Sequence, residues 1–329
     1  MVATSPVADY LASIVIEWEN IQLAEADRCA AMLGELARQI EAFPAAATAA
    51  GRDFEIIVIF DDRKIAESDV RGFVASCMPR PPARAEMRVV GGRGRSYYEQ
   101  KNLGAESARG RYVVFLDSDV IPEPGWLARL LDSFADPRVE VVCGNCFLDT
   151  GDLVSKSLAL AWFFPLRDGR EVLARQESFF ANNVAFRREV AAGYPFEPLA
   201  GSSRGACRLL ARRLVDDGRG LFVNTAARVS HPAPNGLRHL VLRGLAQGRD
   251  NLLFNRTIGG GGAWESVLRS MRMQLRAWKR IVRHRRTVGL GILAVPAALM
   301  VATSYYACYA IGDAATRIAP GWADRHLRV

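Results

Sequence analysis

The chain has 329 residues, 43 Lys+Arg against 35 Asp+Glu, and a net charge of +8. Half of the residues are apolar, which excludes a disordered or collagen-like chain. The charge is unevenly placed: residues 231–329 hold 15 basic and 4 acidic side chains, a net of +11, and residues 1–230 are left at −3. At about 150 residues per domain the length allows two domains, or one large α/β domain with an appendage. The asymmetry assigns an anionic partner to the C-terminal third alone. Six scattered cysteines are too few for a disulfide scaffold. Cys143-Gly-Asn-Cys146 is a lone CxxC without a second pair, and reads as two small residues at a strand end rather than a zinc site. Residues 1–13 lack a basic n-region and a long apolar h-region, so no cleavable signal peptide is expected and the bulk of the chain should stay in a reducing cytoplasm.

In chain order, residues 13–16 predict a short strand, followed by the polar run Glu17-Trp18-Glu19-Asn20. A helix is predicted over 23–43, where Leu33, Leu36 and Ile40 fall near helical spacing. Residues 45–51 form a small-residue linker. The run 54–60 (FEIIVIF) is rich in β-branched residues without alternation, as in a strand buried on both faces. It ends in Asp61-Asp62. Residues 87–90 predict another strand and 99–108 a helix closed by Gly110. The run 112–116 (YVVFL) is a third buried strand, ending in Asp117-Ser118-Asp119. Residues 126–134 predict a helix and 139–142 a strand. This alternation predicts a mainly parallel central sheet with helices on both faces. Ligands of such sheets bind beyond the carboxyl ends of the strands, where both acidic clusters lie.

Two carboxylates two residues apart at a strand end can share a hard divalent cation, which bridges a diphosphate and stabilises the charge on it as it leaves. The wider pattern around them comprises residues 13–20, 54–62, Lys101-Asn102-Leu103-Gly104, residues 108–119, Asn183-Val184-Ala185-Phe186-Arg187-Arg188, and His231-Pro232. In this combination the chain resembles the family 2 glycosyltransferases, with their Rossmann-like GT-A fold, over about residues 12–235. The resemblance implies that Glu17, Glu19, Asn20, Asp61 and Asp62 hold the nucleoside. Lys101, where the family usually has Arg, would neutralise a diphosphate oxygen as a point charge. Asp117 and Asp119 would bind Mn²⁺ or Mg²⁺, with Asp117 also against the donor. His231 would add an imidazole nitrogen to the metal or diphosphate shell, or simply close a strand before Pro232.

One departure concerns the acceptor. The family's later motif carries Glu-Asp, whose Asp deprotonates an acceptor hydroxyl. Here Leu210, Arg213-Leu214 and Gly218 fall into place, but the acidic positions are Ala206 and Cys207. A thiol is a poor oxygen-directed base and its better use is packing. Three explanations stand: Glu197 supplies the base, the acceptor is an already ionised lipid phosphate, or catalysis is lost. Arg204 and Arg208 either meet an anionic acceptor or donor diphosphate, or are solvated at a helix start. Gly91-Gly-Arg-Gly-Arg95 lacks the spacing of a dinucleotide loop; it reads as a surface loop, or a basic loop that closes over the donor.

The C-terminal third differs in texture. Residues 237–253 and 264–282 mix Leu, Met and Trp with Arg, and 288–311 are 24 residues without a charge. At about 1.5 Å per residue that run covers a hydrocarbon core of about 30 Å, and Pro296 is tolerable within it. It predicts a transmembrane helix; the alternative is a hydrophobic helix that packs on the domain or dimerises. Trp264, Leu268, Met271, Leu275, Trp278 and Ile281 recur every three or four residues between arginines, as in a helix lying in the headgroup plane. Each arginine near an anionic surface contributes about 1 kcal/mol. Arg269 to Arg286 precede the run and few basic residues follow it, which places the large domain on the cytoplasmic side of a single-pass protein. The expected organisation is a GT-A domain over 1–235, amphipathic interfacial helices over 236–287, a transmembrane helix over 288–311 and a short tail over 312–329. The expected activity is inverting, metal-dependent transfer from a UDP- or GDP-sugar to a lipid, lipid-linked or other glycan acceptor at the cytoplasmic membrane face, with no nucleic acid as partner. A nucleotide-sugar-binding scaffold without catalysis is the alternative that Ala206-Cys207 allows.

Overall fold

The computed structural model describes residues 10–18, 26–44, 52–167, 169–199 and 204–327. The chain divides into two compact units. The first comprises residues 1–146, 170–197 and 207–230; the second comprises 147–169, 198–206 and 231–329. Two internal segments therefore belong with the C-terminal helices.

The first unit is built on β1 (Tyr10–Glu17), β2 (Phe54–Phe60), β3 (Ala85–Gly91) and β4 (Gly110–Asp117), all parallel in the order β3-β2-β1-β4. Every residue of β2 is buried, as its run of Ile, Val and Phe predicts for a strand covered on both faces. The crossovers are α1 (Ala26–Glu41), α2 (Glu67–Cys77) and α3 (Tyr97–Ser107). The helix predicted over 23–43 is described from Ala26, and α2, too polar to show a clear period, was not foreseen. Among the described residues the sheet has nine strands. β5 (Ile121–Pro122), α4 (Trp126–Asp132), β6 (Val141–Leu148), β7 (Leu173–Arg175), β8 (Asn183–Arg187), α6 (Arg188–Gly193), α7 (Ala206–Asp216) and β9 (Leu221–His231) complete the chain order here. β8 runs antiparallel to β4 and β6, and β9 antiparallel to β5 and β7.

Two glycines of the resemblance motifs have steric reasons. A Cβ on Gly110 would lie 2.5 Å from the Ser13 backbone nitrogen, so only glycine lets β4 start against β1. A Cβ on Gly104 would lie 2.2 Å from Val15 Cγ1, which sets how closely α3 packs on β1. Gly104→Ala should therefore destabilise the protein. Overpacking costs about 1–3 kcal/mol, and the roughly 1 kcal/mol gained from better helix propensity does not offset its upper range. A lower thermal midpoint checks this, and a raised one would show that α3 moves away freely. At the opposite end of the sheet from the acidic clusters, buried Glu55 gathers Ser13 Oγ (2.5 Å), the Arg109 backbone N–H (2.6 Å) and the guanidiniums of Arg109 and Arg88. This network explains Glu55 inside an otherwise apolar strand: its charge is fully paired.

The second unit is helical: α5 (Leu153–Ala161), α8 (Gly236–Thr257), α9 (Ala263–His284), α10 (Val295–Ile318) and α11 (Pro320–His326). α10 packs on α8 through glycines. A Cβ on Gly248 would lie 2.0 Å from the Tyr309 carbonyl oxygen, and one on Gly312 2.0 Å from that of Leu245. The expected helix over 288–311 lies instead at 295–318, after 3₁₀ turns at Arg285–Val288 and Ile292–Ala294. Pro296 sits in the first turn, where a missing N–H costs nothing. The helix continues through Asp313 and Arg317, which pair at 2.6 Å one turn apart. With the preceding turn, Ile292–Ile318 is long and apolar enough to cross a membrane.

Candidate active site

The register brings the acidic residues of the first unit to one end of its parallel strands. Glu17 ends β1 and stands opposite both Ile59 of β2 and Asp117 of β4. Asp61 and Asp62 follow β2 directly. Glu17, Asp61, Asp117 and Asp119 are all buried. Glu19 and Asn20, assigned with them to the nucleoside, lie outside the described residues.

Asp117 is already engaged. Lys101, 0% exposed, places Nζ 2.6 Å from Asp117 Oδ1. The Tyr97 hydroxyl donates to Asp117 at 2.9 Å (Oδ1) and 2.8 Å (Oδ2). The ammonium also sits 4.7 Å from the Tyr97 ring centroid and 5.6 Å from that of Phe115. Burial, then the charges of Asp117 and Glu17, push the Tyr97 phenol well above its ordinary range, so it stays a donor. Lys101, which the resemblance sets against a diphosphate oxygen, is here paired with a buried carboxylate. The rest of its motif clamps the same helix. Asn102 donates to the Phe196 carbonyl (2.8 Å) and accepts from the Phe196 N–H (2.9 Å).

Asp61 accepts from the Arg63 backbone N–H at 3.1 Å, with Lys64 Nζ 3.8 Å away. Burial raises its pKa, but the hydrogen bonds and charges of Arg63 and Lys64 outweigh it and hold the carboxyl below the usual range. The neighbouring glycines have close contacts: a Cβ on Gly91 would lie 2.7 Å from Asp62 Oδ2, and one on Gly92 2.8 Å from the Phe60 carbonyl oxygen. Arg63 donates to the Gly94 carbonyl at 2.8 Å. The loop 91–95 is packed on the rim beside Asp61 and Asp62.

Asp119 lies in the turn after β4. Its carbonyl accepts from Arg28 Nε, and Arg28 also donates to the Ser230 carbonyl at 2.8 Å. Around the same turn, the Ser118 hydroxyl and the Asn182 side-chain oxygen are buried without a hydrogen-bond partner. Among the described residues no three His, Cys, Asp or Glu side chains gather as a metal cage. Hard oxygen donors in this arrangement suit a cation that arrives with the phosphates and takes one or two protein oxygens. Asp119 fits that part. Asp117, already neutralised by Lys101, does not.

Glu197 is exposed and ion-paired with Arg213. Cys207 is buried and accepts from the Tyr98 hydroxyl at 3.3 Å; burial raises its thiol pKa. It packs, as its residue type suggests. Cys143 and Cys146 are buried free thiols, and burial pushes Cys143 up to about 12. In the second unit, His231 places Nδ1 2.7 Å from the Pro232 carbonyl, and a donor Nδ1 makes Nε2 the basic nitrogen. Arg204 also belongs to this unit. Burial, then the charges of Arg204 and His231, lower the pKa of His239. Sequence reasoning missed Tyr97 and His239; neither stands in a recognisable motif.

The family model described as "Glycosyl transferase family 2" matches residues 35–194. No curated protein sequence matches the chain. Among solved structures, S. aureus TarS 1-349, also solved in complex with UDP-GlcNAc, has a TM-score of 0.48 at 11% identity, covering 93% of this chain and 91% of that one. The mannosyltransferase PcManGT from Pyrobaculum calidifontis, in complex with GDP-Man and Mn²⁺, has a TM-score of 0.49 at 18% identity, covering 99% and 87%.

Proposed function

We propose that the chain, a glycosyltransferase that matches the family 2 model over residues 35–194, transfers a sugar, with inversion, from a UDP- or GDP-sugar to a lipid-borne phosphate at the cytoplasmic membrane face. The observation that carries this reading is the set of buried carboxylates, Glu17, Asp61, Asp117 and Asp119, at the carboxyl ends of parallel strands. Glu17 and Asp61 accept from hydroxyls or base nitrogens of the nucleoside. Asp119 would hold Mn²⁺ or Mg²⁺, which would neutralise charge on the departing diphosphate. Lys101 and Tyr97 fix Asp117 and, through it, the end of β4.

In the transfer, an acceptor oxygen forms a bond to the anomeric carbon while the bond from that carbon to the diphosphate oxygen breaks, its electrons leaving with the diphosphate. An ionised phosphate acceptor has no proton to remove. That agrees with Cys207 in place of the family's acid and with Glu197 held by Arg213. The arginine-rich α9 and the exposed apolar side chains beside it favour an acceptor in the bilayer. Arg204 is the candidate side chain for its phosphate.

The test is release of nucleoside diphosphate from UDP- and GDP-sugars with Mn²⁺ and a long-chain lipid phosphate. Turnover is expected with one of the two donor classes. Glu197→Gln should keep it within about twofold, whereas loss of a general base costs about 10²–10⁴. A loss of that size would make Glu197 the base and the acceptor a hydroxyl. Donor binding without release under any acceptor would assign a nucleotide-sugar-binding or scaffold role instead.

A further inference from the structure

We infer that the second unit attaches the protein to an anionic bilayer as a surface-lying layer, with α10 packed inside that layer instead of crossing the membrane. The inference rests on the reading of a membrane-borne acceptor and goes on to say how the membrane is held. Its first support is the company α10 keeps. The glycine contacts put α8 against α10 from Gly244 to Gly248, and α8 carries Arg243, Arg249, Asp250 and Arg256. Arg249 is buried and paired with Asp250 and Asp324. At the far end Arg317 of α10 donates to the Gly261 carbonyl (2.9 Å) and to Ser266 Oγ (2.8 Å). Near its start, Trp278 of α9 donates to Thr303 of α10 at 3.2 Å. One face of α10, from Ala298 through Tyr305 and Tyr309 to Thr316, is held by two charged helices, and α10 cannot enter hydrocarbon without taking their arginines with it.

The second support is α9 itself. At about 100° per residue its 22 residues divide into three sectors. Ser266, Ser270, Ala277 and Ile281 are buried and form the docking face. Roughly a third of a turn away stand Trp264, Met271, Leu275, Trp278 and Val282, all exposed, with Met271 at 55% and Leu275 at 58%. Beyond them, on the side away from the docking face, come Arg269, Arg272, Arg276 and Arg283. The bond from Trp278 to Thr303 sets this apolar stripe beside the turn of α10 that carries exposed Met300. An apolar stripe bordered by arginines matches the acyl–headgroup boundary of an anionic bilayer, the apolar side chains entering and the guanidiniums meeting phosphates. A protein partner would leave that row of like charges uncompensated unless it were itself acidic.

The full-length protein, purified in detergent and transferred to vesicles, provides the test. Flotation is measured with phosphatidylcholine vesicles alone and with vesicles containing phosphatidylglycerol, followed by extraction in alkaline carbonate. Binding should be more than about tenfold stronger to the anionic vesicles, and carbonate should release the protein. The double variant Met271→Glu/Leu275→Glu should lose at least about tenfold in binding while keeping its thermal midpoint and its donor hydrolysis in detergent, because both side chains are exposed in the second unit. Carbonate-resistant protein would overturn the inference in favour of a spanning α10. Equal binding to both vesicle types, or a variant that loses self-association in place of vesicle binding, would also overturn it. Flotation uses neither donor nor acceptor, so failure of the proposed reaction leaves this result readable, and the reverse holds.

Discussion

Asp119→Ala should lower sugar transfer by about a hundredfold to a thousandfold, the scale on which removing one preorganised stabiliser of a developing charge acts. It should also remove the Mn²⁺ dependence of donor binding measured by calorimetry. The structure separates this effect from unfolding. The turn that carries Asp119 is held by its backbone: its carbonyl accepts from Arg28, whose guanidinium also reaches the Ser230 carbonyl (2.8 Å) and hydroxyl (3.1 Å). The next strand, β5, pairs Ile121 with Ser230. These bonds run through the Asp119 carbonyl and survive removal of its side chain, so the variant should stay folded, which its circular dichroism checks. Asp117→Asn gives the contrast: it should reduce stability more than metal dependence, because Asp117 is bonded to Lys101 and Tyr97. If Asp119→Ala kept metal-dependent donor binding and Asp117→Asn abolished it, the two aspartates would have to exchange roles.

The parallel core was legible because its strands are buried on both faces, and such strands read as unbroken apolar runs. Residues 54–60 were delimited as observed, and the acidic pairs at strand ends followed from the same runs. What was not legible depends on pairing across the chain. The resemblance set Lys101 against a diphosphate oxygen; that it is buried follows from α3 packing on β1 and β2, which carries its ammonium to Asp117 and which spacing does not reveal. The run 54–60 gave no sign of how Glu55 is paired, since its partners Ser13, Arg88 and Arg109 come from three other places in the sequence. The strands β7, β8 and β9 and the helix α7 are short or mixed in composition, so their periods are weak. Near the C-terminus, the count of uncharged residues measured how long an apolar run is. It did not show that Asp313 and Arg317 pair with each other and allow the helix to extend past the run, nor that glycines of α8 let α10 lie flat against it.

The Lys101–Asp117 pair yields the second large effect. Lys101→Met should lower stability by about 3–5 kcal/mol, because it leaves a buried carboxylate without its counter-charge. At about 2–4 °C per kcal/mol for a domain of this size, the thermal midpoint of the first unit should fall by roughly 10 °C. Methionine nearly preserves the volume, so the loss reports the charge and not a cavity. The Tyr97 hydroxyl remains as a donor to Asp117 and limits the damage at the upper end of that range. Adding Asp117→Asn should recover more than half of the loss, since replacing both members of a buried pair by neutral groups is often close to neutral overall. The amide can still accept from Tyr97. The same variants decide between two uses of the lysine. If Lys101→Met melted like the parent and only weakened donor binding, its ammonium would face the donor's phosphates as a point charge, and its pairing with Asp117 would give way to them. If stability falls and the double variant restores it, the lysine that stands where the family carries arginine is a strut under the end of β4.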